Sequence, residues 1–387
     1  MIKREQADVI LHSATYFPVV GILGPRQSGK TTLARAIFNN HTYVTLEDPD
    51  IREAATNDPR TFLLANASHE GIIIDEFQHV PALLSYIQTQ VDEKRVPGYF
   101  ILTGSQNFLM NQAITQSLAG RISLHTLLPL SINELKNSGN LQEEIEPLLY
   151  QGCYPALYAQ DIPPLTLYRN YIQTYLERDV RQLSHVGDLA LFQTFLRLCA
   201  ARIGQPLNLT ALGNDCGISD NTVNRWITIL EASYIVFRLY PYHSNFSKRL
   251  VKTPKLYFYD TGLVCNLLNI KEQDLMDSPQ RGAIFESFII ADIMKQGLNR
   301  GEMPHLYYWK DKTGHEVDCI IDQGKKAIAI EIKASRTISS RFFEGLNYWN
   351  ALTNADPNTN FIIYAGSAKQ PKASTYIVSW QAIPRLY

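Results

Sequence analysis

Compact apolar runs alternate with amphipathic stretches over the first 130 residues. Val19–Leu23 is a short apolar run leading into a glycine turn, and residues 31–38 read as a helix. Residues 42–46 read as a second strand, followed by the acidic turn Glu47-Asp48-Pro49-Asp50. Residues 71–74 and 99–102 have the apolar character of strands buried on both faces of a parallel sheet. This alternation predicts an α/β domain with crossover helices.

The pattern changes after Leu130. Residues 131–200 read as mainly helical, with Pro163-Pro164 as the clearest break. Residues 207–242 read as a helix, a tight turn, a second helix and an apolar strand. A third segment starts near Gly282 with an amphipathic helix, followed by paired strands at Leu306–Lys310 and residues 317–321. The predicted organisation is an α/β core over 1–130, a helical region with a helix-turn-helix over 131–281, and a C-terminal α/β domain over 282–387.

The 387 residues are 45% hydrophobic and 19% charged, an ordinary globular composition with length for two or three cores. A formal charge of −1 argues against a polyanion surface spread over the whole molecule. From Arg169 to Lys255 there are 11 Lys/Arg against 6 Asp/Glu, a local basic excess that also fits a solvated face. The five cysteines (Cys153, Cys199, Cys216, Cys265, Cys319) show no CxxC pair, so they read as buried thiols in a reducing compartment. The charged N-terminus reads as no signal peptide, and no apolar run reaches the ~20 residues of a bilayer span. A cytoplasmic protein without a membrane segment is expected.

Chemistry enters at Gly24-Pro25-Arg26-Gln27-Ser28-Gly29-Lys30-Thr31, a GxxxxGKT loop between a strand and a helix. Its glycines let backbone N–H groups curl around a β-phosphate, and the helix N-terminus adds favourable dipole potential. Lys30 is placed to neutralise the β/γ-phosphates of ATP, the Thr31 hydroxyl to ligate magnesium, and Thr32 to meet the α-phosphate. Ile72-Ile73-Ile74-Asp75-Glu76 supplies a buried strand ending in two carboxylates. Asp75 belongs over the magnesium shell and Glu76 where it can polarise an attacking water. Ser105, or alternatively Thr103, ends the next strand where a γ-phosphate sensor is expected; an ordinary strand-end turn fits as well. Arg121 starts the expected fifth strand, where it reads either as an arginine finger, often reaching into a neighbouring subunit of a homo-oligomer, or as a structural ion pair.

These residues resemble an AAA-type P-loop ATPase family whose members carry an uncharacterised C-terminal region. The likeness includes Gly-Pro-Arg-Gln-Ser-Gly-Lys-Thr-Thr-Leu, Ile-Asp-Glu-Phe-Gln, Leu-Thr-Gly-Ser-Gln, Leu-Ala-Gly-Arg and Leu-Pro-Leu-Ser-Ile-Asn-Glu-Leu. It continues through Tyr175-Leu176-Glu177-Arg178-Asp179-Val180 to Ile330-Glu331-Ile332-Lys333-Ala334-Ser335. The resemblance implies an ATPase core and says little about the substrate.

Residues 209–219 read as a helix closing on a glycine turn, and residues 220–227 open a second helix with Ser219 or Asp220 as N-cap. Val223, Ile227 and Leu230 share an apolar face, which leaves Asn221, Asn224 and Arg225 exposed, and residues 234–239 fit a wing strand. Exposed residues of such a helix enter the DNA major groove in known examples. A winged helix also serves as an ATPase lid or a protein contact, and Arg225 is the main exposed cation here.

Near the C-terminus, Asp318 lies on one strand and Glu331 and Lys333 project from one face of the next, with Glu286 on the preceding helix as a fourth candidate. The order Glu286…Asp318…Glu331-x-Lys333 resembles the PD-(D/E)XK nuclease fold. That likeness implies that Asp318 and Glu331 hold magnesium and Lys333 orients water. No Pro-Asp pair stands at the first acidic position. A sheet face with an ion pair, or a nuclease relic kept for binding, fits the same residues.

Overall fold

Side chains of β1 (Val19–Leu23) alternate between the two faces of a sheet, and both faces are apolar. Val19 and Leu23 join one core layer, while Val20 and Ile22 join the layer behind it. Such a strand can only sit in the middle of a sheet covered on both sides. β2 (Thr42–Thr45), β3 (Ile72–Asp75), β4 (Phe100–Gly104) and β5 (Ile122–Thr126) complete an all-parallel sheet ordered β2-β3-β4-β1-β5. Helices α1 (Ala7–Ala14), α2 (Lys30–Ile37), α3 (Pro49–Asn57), α4 (Pro59–Asn66) and α5 (Leu83–Glu93) belong to this unit. The strand and helix positions expected from the sequence are met to within one or two residues at each end. The computed structural model describes residues 2–105, 117–176, 189–243, 253–324, 326–353, 359–367, 370–372 and 375–386. Glu177 to Val180 of the family-like motif lie outside them.

The second unit opens with α6 (Ile132–Asn137). Its N-terminus is set by a capping box in which the Ser131 hydroxyl accepts from the Glu134 N–H and the Glu134 carboxylate accepts from the Ser131 N–H. Short helices α7 (Ile145–Gln151), α8 (Pro155–Ala159) and α9 (Pro164–Tyr171) follow, two of them with proline at the first helical position. Then come α10 (Leu189–Ala201), α11 (Leu209–Cys216), α12 (Asp220–Ala232), the hairpin β6 (Val236–Pro241) and β7 (Lys255–Phe258), and α13 (Thr261–Leu267). The long α14 (Arg281–Leu298) precedes β8 (Leu306–Lys310), β9 (Glu316–Asp322), β10 (Ala327–Lys333), α15 (Glu344–Thr353), β11 (Asn360–Tyr364), β12 (Gln370–Lys372) and β13 (Thr375–Ser379).

The boundary drawn at residue 281 does not separate two sheets. Strand β6 pairs in parallel with β8, so the hairpin extends the C-terminal sheet to β12-β13-β11-β10-β9-β8-β6-β7. One apolar core also runs continuously from Leu130 to Leu386. The described residues between 131 and 386 are thus joined across that boundary into a second unit, in which Trp309, Val317, Ile320, Leu346 and Trp349 form a further core of their own. All five cysteines are buried and free.

α14 braces the start of α6 within the second unit, and its C-terminal end meets the first unit through Gln6. Asp292, 1% exposed, accepts from the Ile132 N–H at 2.8 Å, and Lys295 donates to the Leu130 carbonyl at 3.1 Å. Gln6 donates to the carbonyls of Thr126 (3.2 Å) and Leu298 (2.7 Å), tying the end of β5 to the end of α14. Replacing Asp292 by Ala strands a buried N–H and leaves Lys295 short of counter-charge. Thermal or urea unfolding should show Asp292→Ala destabilised by about 2 kcal/mol or more, with Asp292→Asn milder.

Candidate functional site

Backbone geometry sets the loop between β1 and α2. Gly24 has φ +149° and lies so close to the Leu127 carbonyl oxygen that a Cβ would stand 2.2 Å from it. Gly29, the residue before α2, has φ +92°, and Gln27 between them has φ +61°. The loop bends back over the N-terminus of α2. Lys30 is buried, and its ammonium donates to the carbonyls of Gly24 at 3.2 Å and Pro25 at 2.7 Å.

The Asp75 carboxylate gathers three hydroxyls at the end of β3. Thr31 donates to it at 2.8 Å, Tyr43 at 3.0 Å, and Thr103 donates to the same oxygen as Thr31. Thr103, the alternative sensor, is thus committed to Asp75. The Ser105 hydroxyl accepts from the Gln78 amide at 3.1 Å, and that amide also bonds Glu76. Glu76 itself adopts a left-handed conformation (φ +53°, ψ +42°). Burial pushes its carboxyl above the ordinary value, a rise moderated by Lys30 and Arg26. The β-strand ends thus bring Lys30, Thr31, Asp75, Glu76 and Ser105 to one edge of the sheet.

A cavity of about 580 Å³ opens from this edge. Arg26, Gln27, Gly29, Lys30, Thr31 and Thr32 line one end, with Glu76 beside them. Ile2, Leu130, Pro155, Ala159, Ile162 and Leu167 line the other, so the second unit supplies its apolar wall. The donor set of Thr31 hydroxyl and Asp75 carboxylate is hard oxygen, which fits magnesium.

Arg4 is a residue that sequence reasoning missed. Its buried guanidinium donates to the Ser28 carbonyl at 2.7 Å, the Leu128 carbonyl at 2.6 Å and Glu134 at 2.8 Å. One side chain therefore joins the phosphate loop to the segment entering the second unit. An isolated arginine ahead of the first helix has no spacing signature, although the Ser131-x-x-Glu134 box marks its partner.

Arg121 requires a correction. It precedes β5 directly opposite Val19, whereas the phosphate loop follows Leu23 at the other end of β1. That separation is roughly 15 Å along the strand. Its guanidinium forms a two-pronged bond with Asp92, at 2.7 and 2.8 Å. The fold gives Arg121 a structural ion pair, and no reach to the phosphate loop of its own chain. Action across a subunit boundary would have to break this pair.

In the helix-turn-helix, Gly217 takes φ +69° and Ser219 caps α12 by accepting from the Thr222 N–H at 3.3 Å. Val223, Ile227 and Leu230 are buried, while Asn221, Asn224 and Arg225 are exposed. Trp226 packs edge-on against Phe192 and Phe195, so the helix pair is anchored to α10. Asn224 accepts from Arg238 at 3.3 Å, linking α12 to β6.

The C-terminal carboxylates meet two lysines. Lys333 lies 2.5 Å from Glu331 and 3.5 Å from Asp318, which also accepts from the Ile332 N–H at 2.7 Å. Glu286, expected beside them, interacts with Asp318 and is also engaged by Lys255 at 3.3 Å and by the Tyr257 hydroxyl. Lys255 also pairs with Glu316, which bonds Lys310 at 2.8 Å. Sequence reasoning missed Lys255, Tyr257 and Glu316 because β7 joins this sheet from the helical region. Among the described residues no group of three or more His, Cys, Asp or Glu is arranged to hold a metal. The set expected to carry magnesium therefore has lysine ammonium groups as its cations.

Two measurements follow from this geometry. Arg121→Ala should leave turnover within about twofold, because its partner is Asp92; a loss of the ~10³-fold expected of an arginine finger would restore the catalytic reading. Burial, reinforced by Asp318, pushes Glu331 up to about 8 against the pull of Lys333, and burial likewise raises Glu286 to about 7. A raised carboxyl favours the folded state while protonated, so its contribution is full below the unfolded value near 4.5 and is lost as pH climbs through about 7 to 8. Stability of the chain should fall across that window, and Glu331→Gln should flatten the fall.

Residues 16–136 match the family described as AAA domain. Residues 142–274 and 281–384 match two domains of unknown function, DUF8612 and DUF4143. Uncharacterised proteins of Mycobacterium bovis and Mycobacterium tuberculosis are each 29% identical over 383 residues, covering 97% of this chain and 83% of theirs. A Walker-type ATPase of Pyrococcus abyssi is similar at 17% identity, with TM-score 0.47 over 69% of this chain and 96% of its own. The RuvB Holliday junction branch migration motor of Thermotoga maritima is similar at 17% identity, with TM-score 0.30 over 60% of this chain and 87% of its own. No helix among the described residues is long and apolar enough to cross a membrane. Residues 16–136 thus carry the AAA domain match on a parallel-sheet α/β unit whose fold resembles that of P-loop ATPases, followed by helical and α/β regions.

Proposed function

We propose that the protein hydrolyses ATP with magnesium and that the cycle shifts its second unit relative to the core. The observation that carries this reading is the Thr31 hydroxyl on the Asp75 carboxylate at 2.8 Å, with Glu76 next in the chain and Lys30 one residue before Thr31. Lys30 exchanges its two loop carbonyls for phosphate oxygens, and backbone N–H groups of the loop surround the β-phosphate. Thr31 and Asp75 would hold magnesium, which would supply charge neutralisation at the phosphates. Glu76 takes a proton from the attacking water, and its raised affinity for protons suits it to that role. Ser105, held by Gln78, is positioned to sense the γ-phosphate. Because Pro155, Ile162 and Leu167 line the same cavity, bound nucleotide contacts the second unit directly.

For that unit we favour a nucleic-acid-directed role, with the nuclease-like face and the winged helix as its contact surfaces. Lys333 between Asp318 and Glu331 supports the likeness, while the ion pairs of Lys255 and Lys333 favour binding over cleavage. Calcium or magnesium at Asp318 and Glu331 would first have to displace an ammonium group. A switch ATPase that docks a protein partner is the second reading, supported by the engagement of Asn224 with Arg238 and by Arg225 as the main cation of the exposed helix face.

Lys30→Ala should lose most ATP binding. Glu76→Gln should keep binding but lose about 10²- to 10⁴-fold in turnover, as an amide cannot act as a base. Near-normal hydrolysis by either variant would overturn the site. Hydrolysis stimulated by DNA, with stimulation falling steeply as salt rises, supports the nucleic-acid role; stimulation by protein alone supports the switch.

A further inference from the structure

Helix α9 has a second face. Leu167 turns toward the nucleotide cavity, but Leu165 and Arg169 on another side, with Ile172 and Gln173 of the π-helical turn Ile172–Leu176 that continues it, line a separate cavity of about 230 Å³. Gln193, Leu196 and Arg197 of α10 form its second wall, and Asn266, Leu267 and Asn269 at the end of α13 form its third. Among the described residues, no acidic residue lines it. Among the described residues, neither the Arg169 nor the Arg197 guanidinium has a hydrogen bond or ion pair.

We propose that this cavity is a phosphate-binding site. Two guanidinium groups with no carboxylate partner among the described residues present forked donors matched to phosphate oxygens, and the carboxamides of Gln173, Asn266 and Asn269 add neutral donors. Three carbonyls at the end of α13 are already engaged. The Val264, Cys265 and Asn266 carbonyls already accept from Leu268, Ile270 and Asn269, with Asn269 at φ +54° closing the turn. The volume is below that of a typical small-molecule pocket, so it takes a phosphate group with the rest of the ligand outside. The same chemistry is offered by a small phosphorylated molecule and by the backbone of a nucleic acid. Since α9 walls both cavities, occupation of this site and of the nucleotide site bears on one helix.

The test uses the full chain carrying Lys30→Ala, which suppresses the phosphate loop as a competing site. Calorimetric titration with pyrophosphate and, separately, with a short thymidine strand is compared before and after adding Arg169→Gln and Arg197→Gln. Both arginines are exposed, so an unchanged melting curve is the control for folding. At least one probe should bind and should weaken about 10-fold or more when both arginines are replaced. Weakening of pyrophosphate alone assigns a small phosphorylated ligand. Weakening of the strand, with a shallower salt dependence, assigns a nucleic-acid backbone. If neither probe binds, or neither responds to the arginine replacements, the proposal is wrong. The readout is independent of ATP hydrolysis, so its failure leaves the ATPase reading untouched.

Discussion

The buried pair between Arg4 and Glu134 is the constraint on which the arrangement of the two units rests. Burying a guanidinium is costly unless each of its donors finds an acceptor. Arg4 meets that condition with one carboxylate and two carbonyls, one of them in the phosphate loop. Glu134 in turn receives the N–H groups of Glu5 and Ser131, so its two oxygens are shared between an N-terminal strap and a helix cap. Removing one partner of such a pair typically costs about 3 to 5 kcal/mol, because the other charge is left buried. The loop that would hold phosphate and the segment that begins the second unit are thus held by the same side chain.

The two carboxylate groupings in the molecule are neutralised in different ways. Asp75 is surrounded by hydroxyls of Thr31, Thr103 and Tyr43, which leave its charge uncancelled and able to attract a cation. Asp318, Glu331, Glu286 and Glu316 face Lys333 and Lys255, so their charge is largely met by ammonium groups within the fold. The first grouping suits reversible metal and nucleotide binding. The second suits a rigid surface, a reason to place turnover at the core and recognition at the C-terminal sheet.

Much of the core was legible because its signals are local. GxxxxGKT between Val19–Leu23 and a helix, and Asp75-Glu76 after an apolar strand, each combine motif with context, and the structure brings their residues to one sheet edge. Strand ends shifted by a residue or two because terminal hydrogen bonds, not hydropathy, decide where pairing stops. What sequence could not provide was long-range. Nothing local says that β7 runs beside the C-terminal sheet, so Lys255 and Tyr257 were invisible next to Glu286, as was the core that links the helical region to that sheet. Arg121 was placed correctly before the fifth strand, but which of its two roles it takes depends on the direction of the parallel strands, which sets it at the end of the sheet away from the phosphate loop.

Hydrogen exchange on the full chain, with and without a non-hydrolysable ATP analogue and magnesium, tests the coupling of nucleotide site to second unit most directly. The account predicts slowed exchange in the phosphate loop together with altered exchange at Glu5, Ser131 and Ile132 and across residues 155–167. These amides are either held by the Arg4, Glu134 and Asp292 network or line the nucleotide cavity. Protection confined to residues 24–32 and the ends of β3 and β4 would contradict it.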